Sequence, residues 1–148
     1  WSKKISKFSP LINARKETLM EKVTFKNLIQ ISRCVVPADG YYEWKREEKN
    51  KIPYYFTKED DEIMFFAAIH QNNQFCIITR EATEKISAIH HREPLIISQS
   101  QINNYLNTKK DAMEILNLIK PPRLKFHEIS KEVNNPINND LALIKPVN

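Results

Sequence analysis

The chain has 148 residues, 41% hydrophobic and 28% charged, which is enough for one domain with its own core and unlike a disordered or fibrous composition. Its longest apolar run, from Ile63 to Ile69, is too short to cross a bilayer, and no signal peptide is recognisable, which favours a cytoplasmic protein without a membrane partner. The net charge of +5 suits a phosphate-binding surface, although an ordinary lysine-rich surface explains it as well.

The first half of the chain predicts one short helix followed by strands. Residues 1–10 are basic and irregular, and apolar spacing predicts a helix around Phe25–Ile29. Cys34–Val36 is typical of a buried strand that Pro37 stops, and Asp39-Gly40 predicts a turn. Further strands are predicted at Tyr41–Lys45, Pro53–Thr57, Ile63–His70 and Phe75–Thr79, with a charged hairpin loop at Arg46–Lys51.

The second half mixes helices and strands without a repeating strand–helix–strand unit. Predicted helices are Glu81–Ile89, Gln101–Leu106 with Ser98 as N-cap, and Asp111–Ile119, which Pro121-Pro122 ends. Predicted strands are Leu95–Ile97 and Leu124–Ile129. This order indicates an α+β fold with a mostly antiparallel sheet.

The two cysteines, Cys34 and Cys76, both lie in apolar runs. Two buried free thiols fit a reducing cytoplasm better than one disulfide, which the sequence leaves open. Because no Cys/His spacing resembles a zinc site, we predict neither a metal nor a cofactor.

Polar and aromatic residues near the start of the chain could bind nucleic acid. Asn13 offers a neutral donor and acceptor, and Arg15 a fork of donors suited to phosphate, although a capping Asn beside a surface Arg is the plainer interpretation. Trp1 and Trp44 lie near basic residues, as in single-strand binders where bases stack on rings and cations follow the phosphates. Core packing is the alternative for Trp44.

Glu43 is the first candidate for proton transfer. It lies in a predicted strand rich in aromatic residues, where apolar surroundings disfavour its charged form. The structural alternatives are a solvated face or an ion pair with Arg33 or Lys45.

His90, next to His91 and two residues before Arg92, is the second candidate, because histidine exchanges protons at neutral pH. Adjacent residues of an extended chain point to opposite sides, so we do not expect the two histidines to act as a pair. A structural hydrogen bond or simple exposure is the alternative for each.

These residues occur in the order and spacing of a known family. The blocks that carry the likeness are Trp1, Leu11–Thr18, Phe25, Arg33–Trp44, Lys51–Tyr55, Phe66–Ile69, Ile78-Thr79, Ile89–Pro94 and Val133–Asn135. Over nearly its whole length the chain resembles the SOS-response-associated peptidase (SRAP) family of abasic site processing proteins. The resemblance implies an α+β fold around a barrel-like, mostly antiparallel sheet with peripheral short helices and a groove for single-stranded DNA containing abasic sites.

The resemblance also implies a division of labour. In the family, an N-terminal cysteine condenses with the aldehyde of an abasic site, and residues before that cysteine are removed by a peptidase-like reaction. By resemblance, Asn13 would position the nucleophile and the sugar, Glu43 would transfer protons, and His90 would promote opening of the sugar ring. The DNA-binding residues implied are Trp1, Arg15, Trp44, Thr79 and Arg92. The expected protein is a monomer in the bacterial cytoplasm, at the nucleoid during damage.

Two departures from the family limit these expectations. We expect residues 1–148 to form a single SRAP domain that lacks its N-terminal segment and the nucleophilic cysteine. Because Cys34 and Cys76 are internal and have no free amine, we expect this chain neither to form the crosslink nor to fold stably alone. His91 and Glu93 also depart from the family pattern, and a Glu93 near phosphates would weaken binding. The alternative function is a non-catalytic single-stranded DNA-binding remnant or a decayed paralogue.

Overall fold

The structure, a computed structural model, describes residues 11–48 and 50–147. Its elements in chain order are β1 (Asn13–Arg15), α1 (Val23–Ile31), β2 (Arg33–Ala38), β3 (Tyr41–Glu47), β4 (Asn50–Lys58), β5 (Met64–Gln71), β6 (Gln74–Glu81), α2 (Glu84–Ser87), β7 (Arg92–Pro94), β8 (Ile96–Ile97), α3 (Ile102–Leu106), α4 (Ala112–Leu118) and β9 (Leu124–Glu128). Short 3-10 helices lie at Lys16–Thr18, Gln99–Gln101, Lys131–Asn134 and Leu141–Ile144. The predicted α+β class is confirmed. No helix in these two ranges is long and apolar enough to cross a membrane.

The chain divides into two compact units. The first unit comprises the described residues of Trp1–Pro37, Phe65–Glu81 and Pro94–Pro122, and the second comprises those of Ala38–Met64, Ala82–Glu93 and Arg123–Asn148. The prediction of a single domain over residues 1–148 stays a prediction.

The first unit is built on a sheet with strand order β1-β6-β5-β2, in which β8 pairs with β5. Strands β5 and β6 form an antiparallel hairpin whose turn residues, Asn72 and Asn73, have φ of 50° and 61°, a conformation that asparagine tolerates well. The short strand β1 runs parallel to β6. Helices α1, α3 and α4 complete the core, whose fully buried members include Phe25, Ile69 and Leu116.

Arg33 holds the helices of the first unit together from inside. Only 6% of the residue is exposed, and its guanidinium donates to four backbone carbonyls rather than to a carboxylate. The acceptors are the carbonyl oxygens of Ile29 at 2.7 Å, Tyr105 at 3.0 Å, Asn107 at 3.1 Å and Lys110 at 2.7 Å. The alternative that Arg33 pairs with Glu43 is therefore wrong, because carbonyls near the ends of α1 and α3 take its donors instead.

The second unit is built on an antiparallel sheet with order β3-β4-β9. The fully buried Phe56 packs against two aromatic rings. The centroid of its ring is 4.8 Å from that of Tyr41 and 4.9 Å from that of Phe126. Gly40 precedes β3 because nothing larger fits there: a Cβ would overlap the Tyr55 ring and lie 2.6 Å from the Phe56 carbonyl oxygen. This close approach fixes the start of the strand that carries Glu43.

Several predicted boundaries need correction. Pro37 does not stop β2, which continues to Ala38. Because β2 is the last strand in the order of its sheet, the missing N–H of the proline is tolerated there. The hairpin loop at Arg46–Lys51 is shorter than predicted, since β3 reaches Glu47 and β4 begins at Asn50. Over residues 11–48 and 50–147 the strands form two open sheets, and the barrel-like closure implied by the resemblance is not observed there.

Candidate functional site

Glu43 and His90 lie side by side in the second unit. Glu43 Oε2 is 3.5 Å from His90 Nδ1, and Glu43 Oε1 accepts a hydrogen bond from the backbone N–H of Trp44 at 3.0 Å. About a quarter of each side chain remains exposed, 25% for Glu43 and 27% for His90. The predicted alternative of a Lys45 partner is not needed, because Lys45 pairs with Glu47. A carboxylate and an imidazole at this distance, open to solvent, can exchange a proton with a bound molecule.

The backbone of β7 orients the His90 ring. The N–H of Arg92 donates to His90 Nδ1 at 3.2 Å, and the carbonyl oxygen of Arg92 lies 3.1 Å from the same nitrogen. When Nδ1 accepts from Arg92, the neutral ring carries its proton on Nε2; when Nδ1 is protonated, it can donate to the Arg92 carbonyl or to Glu43.

His91 lies closer to His90 than predicted. The two rings have centroids 4.5 Å apart. The expectation that they point to opposite sides is wrong because residues 88–91 form a turn after α2 rather than a strand, so strand alternation does not apply.

Trp44 follows Glu43 on β3 and has a fixed ring. Its indole Nε1–H donates to Asn134 Oδ1 at 2.8 Å, and the residue is half-buried rather than part of the core. Asn134 was missed as a site residue, since the sequence marks it only as part of a family block. Trp1, the other predicted stacking residue, lies outside the described residues.

The remaining predicted residues of the amino-terminal block lie in the first unit. In the parallel register of β1 and β6, Asn13 is opposite Ile77 and Arg15 is opposite Thr79. Asn13 and Arg15 are exposed while Ala14 between them is buried, and Thr79 is 9% exposed. Strand alternation therefore brings these polar side chains to one face.

Arg92 and Glu93 differ in exposure although they are neighbours. Arg92 is half-buried at the start of β7, whereas Glu93 is only 3% exposed. Glu93 Oε2 accepts hydrogen bonds from both the backbone N–H and the hydroxyl of Thr83, each at 3.1 Å. The expectation that Glu93 faces phosphates is wrong, because its side chain is buried and hydrogen-bonded to Thr83.

Burial and charge act on other titratable groups near the site and in the core. Burial, followed by the negative charges of Glu93 and Glu43, raises the pKa of Tyr41 well above its usual range, so its hydroxyl stays protonated. Burial raises the pKa of Cys34, and that of Cys76 to about 11, which leaves both thiols protonated at neutral pH. Both cysteines are free, and no cluster of three or more His, Cys, Asp or Glu residues suited to a metal occurs in the described part of the chain.

These features define an α+β protein with a solvent-accessible glutamate–histidine pair suited to general acid–base chemistry. The family profile described as SOS response associated peptidase (SRAP) matches residues 1–136, and the chain belongs to this family. The family predicted from the motifs is thus confirmed.

Named relatives agree with this assignment. The chain is 32% identical over 162 residues to abasic site processing protein YoaM of Bacillus subtilis, an alignment that covers 100% of this chain and 71% of the relative. It is 33% identical over 151 residues to abasic site processing protein YedK of Escherichia coli, covering 93% of this chain and 68% of the relative. A crystal structure of a protein from Bacteroides thetaiotaomicron is similar with a TM-score of 0.81 and 31% identity, covering 91% of this chain and 65% of that one.

Proposed function

We propose that this chain binds single-stranded DNA at abasic sites and that Glu43 and His90 exchange protons with the abasic sugar. The observation that carries the proposal is the 3.5 Å approach of Glu43 Oε2 to His90 Nδ1 in a member of a family whose relatives are named abasic site processing proteins. In the complete family protein, we propose covalent crosslinking through an N-terminal cysteine, with associated autopeptidase activity. The monomeric state and the cytoplasmic location stay predictions.

The proposed first step is opening of the abasic sugar. Protonated His90 donates a proton to the ring oxygen as the C1′–O4′ bond breaks, and Glu43 accepts the proton of the C1′ hydroxyl, whose oxygen becomes the aldehyde oxygen. One proton is given and one is taken, so the pair is ready for the next turnover once a proton passes between the two side chains. The product aldehyde is the electrophile that a crosslinking amine or thiol requires.

In this proposal, each unit considered by itself offers groups that can contact DNA. Exposed Arg15 supplies a donor fork for a phosphate, and Arg92 supplies a second one beside His90. Trp44 offers a ring against which a base can stack, and such stacking contributes about 1–3 kcal/mol per base. Asn13 and Thr79 would contact the sugar and the strand, while phosphate contacts position the DNA without reading its sequence.

A trapping experiment tests the chemical role of the pair. A hydroxylamine probe captures the open-chain aldehyde of an abasic oligonucleotide, and its rate is measured with saturating protein. We expect Glu43→Gln to slow trapping about 100-fold, because it cannot accept the hydroxyl proton, while binding by fluorescence anisotropy stays close to that of the unaltered chain. Glu47→Gln, an exposed glutamate on the same strand, is the matched control and should change neither value. Equal loss of trapping and binding in Glu43→Gln would make Glu43 a structural residue and reject the proposal.

A further inference from the structure

The segment from Ala82 to Glu93 forms a loop whose two ends are tied together. The backbone N–H of Ala82 donates to the carbonyl oxygen of His91 at 3.0 Å. The Glu93 carboxylate accepts from the backbone N–H and from the hydroxyl of Thr83, both at 3.1 Å. The Glu93 side chain thus accepts two of these three hydrogen bonds between the ends of the loop.

The inside of this loop connects Thr83 to His90. Thr83 immediately precedes α2, and the carbonyl oxygen of Ile86 accepts from the backbone N–H of Ile89 at 2.8 Å and of His90 at 3.0 Å. Ile86 is buried, with 3% of its surface exposed. Backbone hydrogen bonds therefore join Thr83 to Ile86 and Ile86 to His90, since the N–H of Ile86 donates to the Thr83 carbonyl oxygen at 3.0 Å.

The chemistry of Glu93 makes this tie stiff. A carboxylate that is 3% exposed is costly to bury unless its oxygens are hydrogen-bonded, and the two Thr83 donors contribute to meeting that need. Burial, and after it the negative charges of Glu93 and Glu43, raise the pKa of Tyr41, which lies two residues before Glu43 on β3.

We propose that Glu93 is a positioning residue, whose buried carboxylate closes the loop over residues 82–93 and thereby sets the position of His90 Nδ1 relative to Glu43. This inference rests on the proposed function of the Glu43–His90 pair. It gives a role to a residue that departs from the family pattern, and it predicts that the loop of this chain tolerates loss of the Glu93 charge better than loss of its acceptor oxygens.

The test compares Glu93→Gln with Glu93→Leu by nitrogen NMR of the histidine rings in the DNA-free protein, with His90 assigned by the signals lost in His90→Gln. Glutamine keeps an acceptor oxygen for Thr83, whereas leucine has none. We expect Glu93→Leu to shift the Nδ1 resonance of His90 away from that of a hydrogen-bonded acceptor, and Glu93→Gln to restore most of the original position. Aldehyde trapping should fall on the order of 100-fold in Glu93→Leu, the scale expected for a misplacement of about 1 Å. Glu84→Gln, an exposed glutamate of the same loop, should change neither readout.

A second pair of variants keeps the inference testable if Glu93→Leu does not fold. Thr83→Val removes the hydroxyl donor, and Thr83→Ser retains it. The inference requires Thr83→Val to shift the His90 resonance and Thr83→Ser to leave it unchanged. An unchanged His90 spectrum in a folded Glu93→Leu or in Thr83→Val overturns the inference while the proposed function stands. If the spectra change as expected but the unaltered protein opens no abasic sugar, the proposed function fails and the role of Glu93 in placing His90 is upheld.

Discussion

The two units hold their candidate residues in different ways. In the first unit, Asn13 and Arg15 project from a strand whose register with β6 fixes their direction, so the backbone alone places them. In the second unit, His90 follows a four-residue helix, and its ring, hydrogen-bonded to the Arg92 backbone, lies 3.5 Å from the Glu43 carboxylate. Backbone placement is robust to substitution of neighbouring side chains, whereas placement through side chains is not. We therefore expect substitutions around the first set to change binding and those around the second to change chemistry.

The largest expected effect tests whether the first unit is the rigid frame that this comparison assumes. Arg33→Met removes the guanidinium donor from four carbonyl groups, two in buried and two in partly buried hydrogen bonds, and we expect the free energy of unfolding to fall by about 3–5 kcal/mol in urea denaturation. Lys26→Met, on the exposed side of α1, is the matched control and should stay within about 0.5 kcal/mol of the unaltered chain. Similar values for the two variants would mean that Arg33 does not hold the helices.

A glycine substitution tests how strictly the second unit places Glu43. Gly40→Ala puts a methyl group against the Tyr55 ring and the Phe56 carbonyl, so β3 must shift, and we expect a loss of about 1–3 kcal/mol in stability together with slower aldehyde trapping. Full trapping activity in Gly40→Ala would show that the Glu43–His90 pair tolerates movement of β3. Placement of residues in the second unit would then be as robust to substitution as placement in the first.

The smallest effect expected from this set concerns the Trp44 ring. Asn134→Ala removes the acceptor of the indole N–H, and we expect the affinity for single-stranded DNA to fall by about 1 kcal/mol because the ring is no longer fixed. Trp44→Phe keeps a stacking ring without an N–H. In a double-mutant cycle measured by anisotropy, Asn134→Ala should therefore add nothing in the Trp44→Phe background. If the losses of binding free energy in the two single variants add in the double variant, Asn134 contacts the DNA directly instead of acting through Trp44.

Sequence patterns predicted the long elements of the fold and several short ones, and missed the three-residue strands β1 and β7. Strands such as β4 and β5 and helices such as α1 and α4 carry enough apolar residues for their period to be recognised. β1 has three residues with one buried side chain, and its partner β6 is distant in sequence, so no local pattern marks it. Strand β7 was missed for the same reason of length.

The contacts within the candidate site could not be predicted from the sequence. Glu43 and His90 were each recognised from their motifs, but their approach depends on how the loop after α2 folds. The hydrogen bonds that join Trp44 to Asn134 and Thr83 to Glu93 span positions that no local sequence pattern pairs. The placement of Asn13, Arg15, Glu43 and His90 in catalysis or DNA binding stays a prediction.

The most direct test of the account is a salt titration of single-stranded DNA binding, measured by fluorescence anisotropy for the unaltered chain and for Arg15→Ala. Phosphate contacts release counterions, so we expect the logarithm of the association constant to fall linearly with the logarithm of salt concentration. Loss of one phosphate contact should reduce that slope by about 0.7 in Arg15→Ala, equally for abasic and intact oligonucleotides of different sequence. Absence of salt-dependent binding by the unaltered chain, or an unchanged slope in Arg15→Ala, would contradict the proposed DNA-binding function or the assigned role of Arg15, respectively.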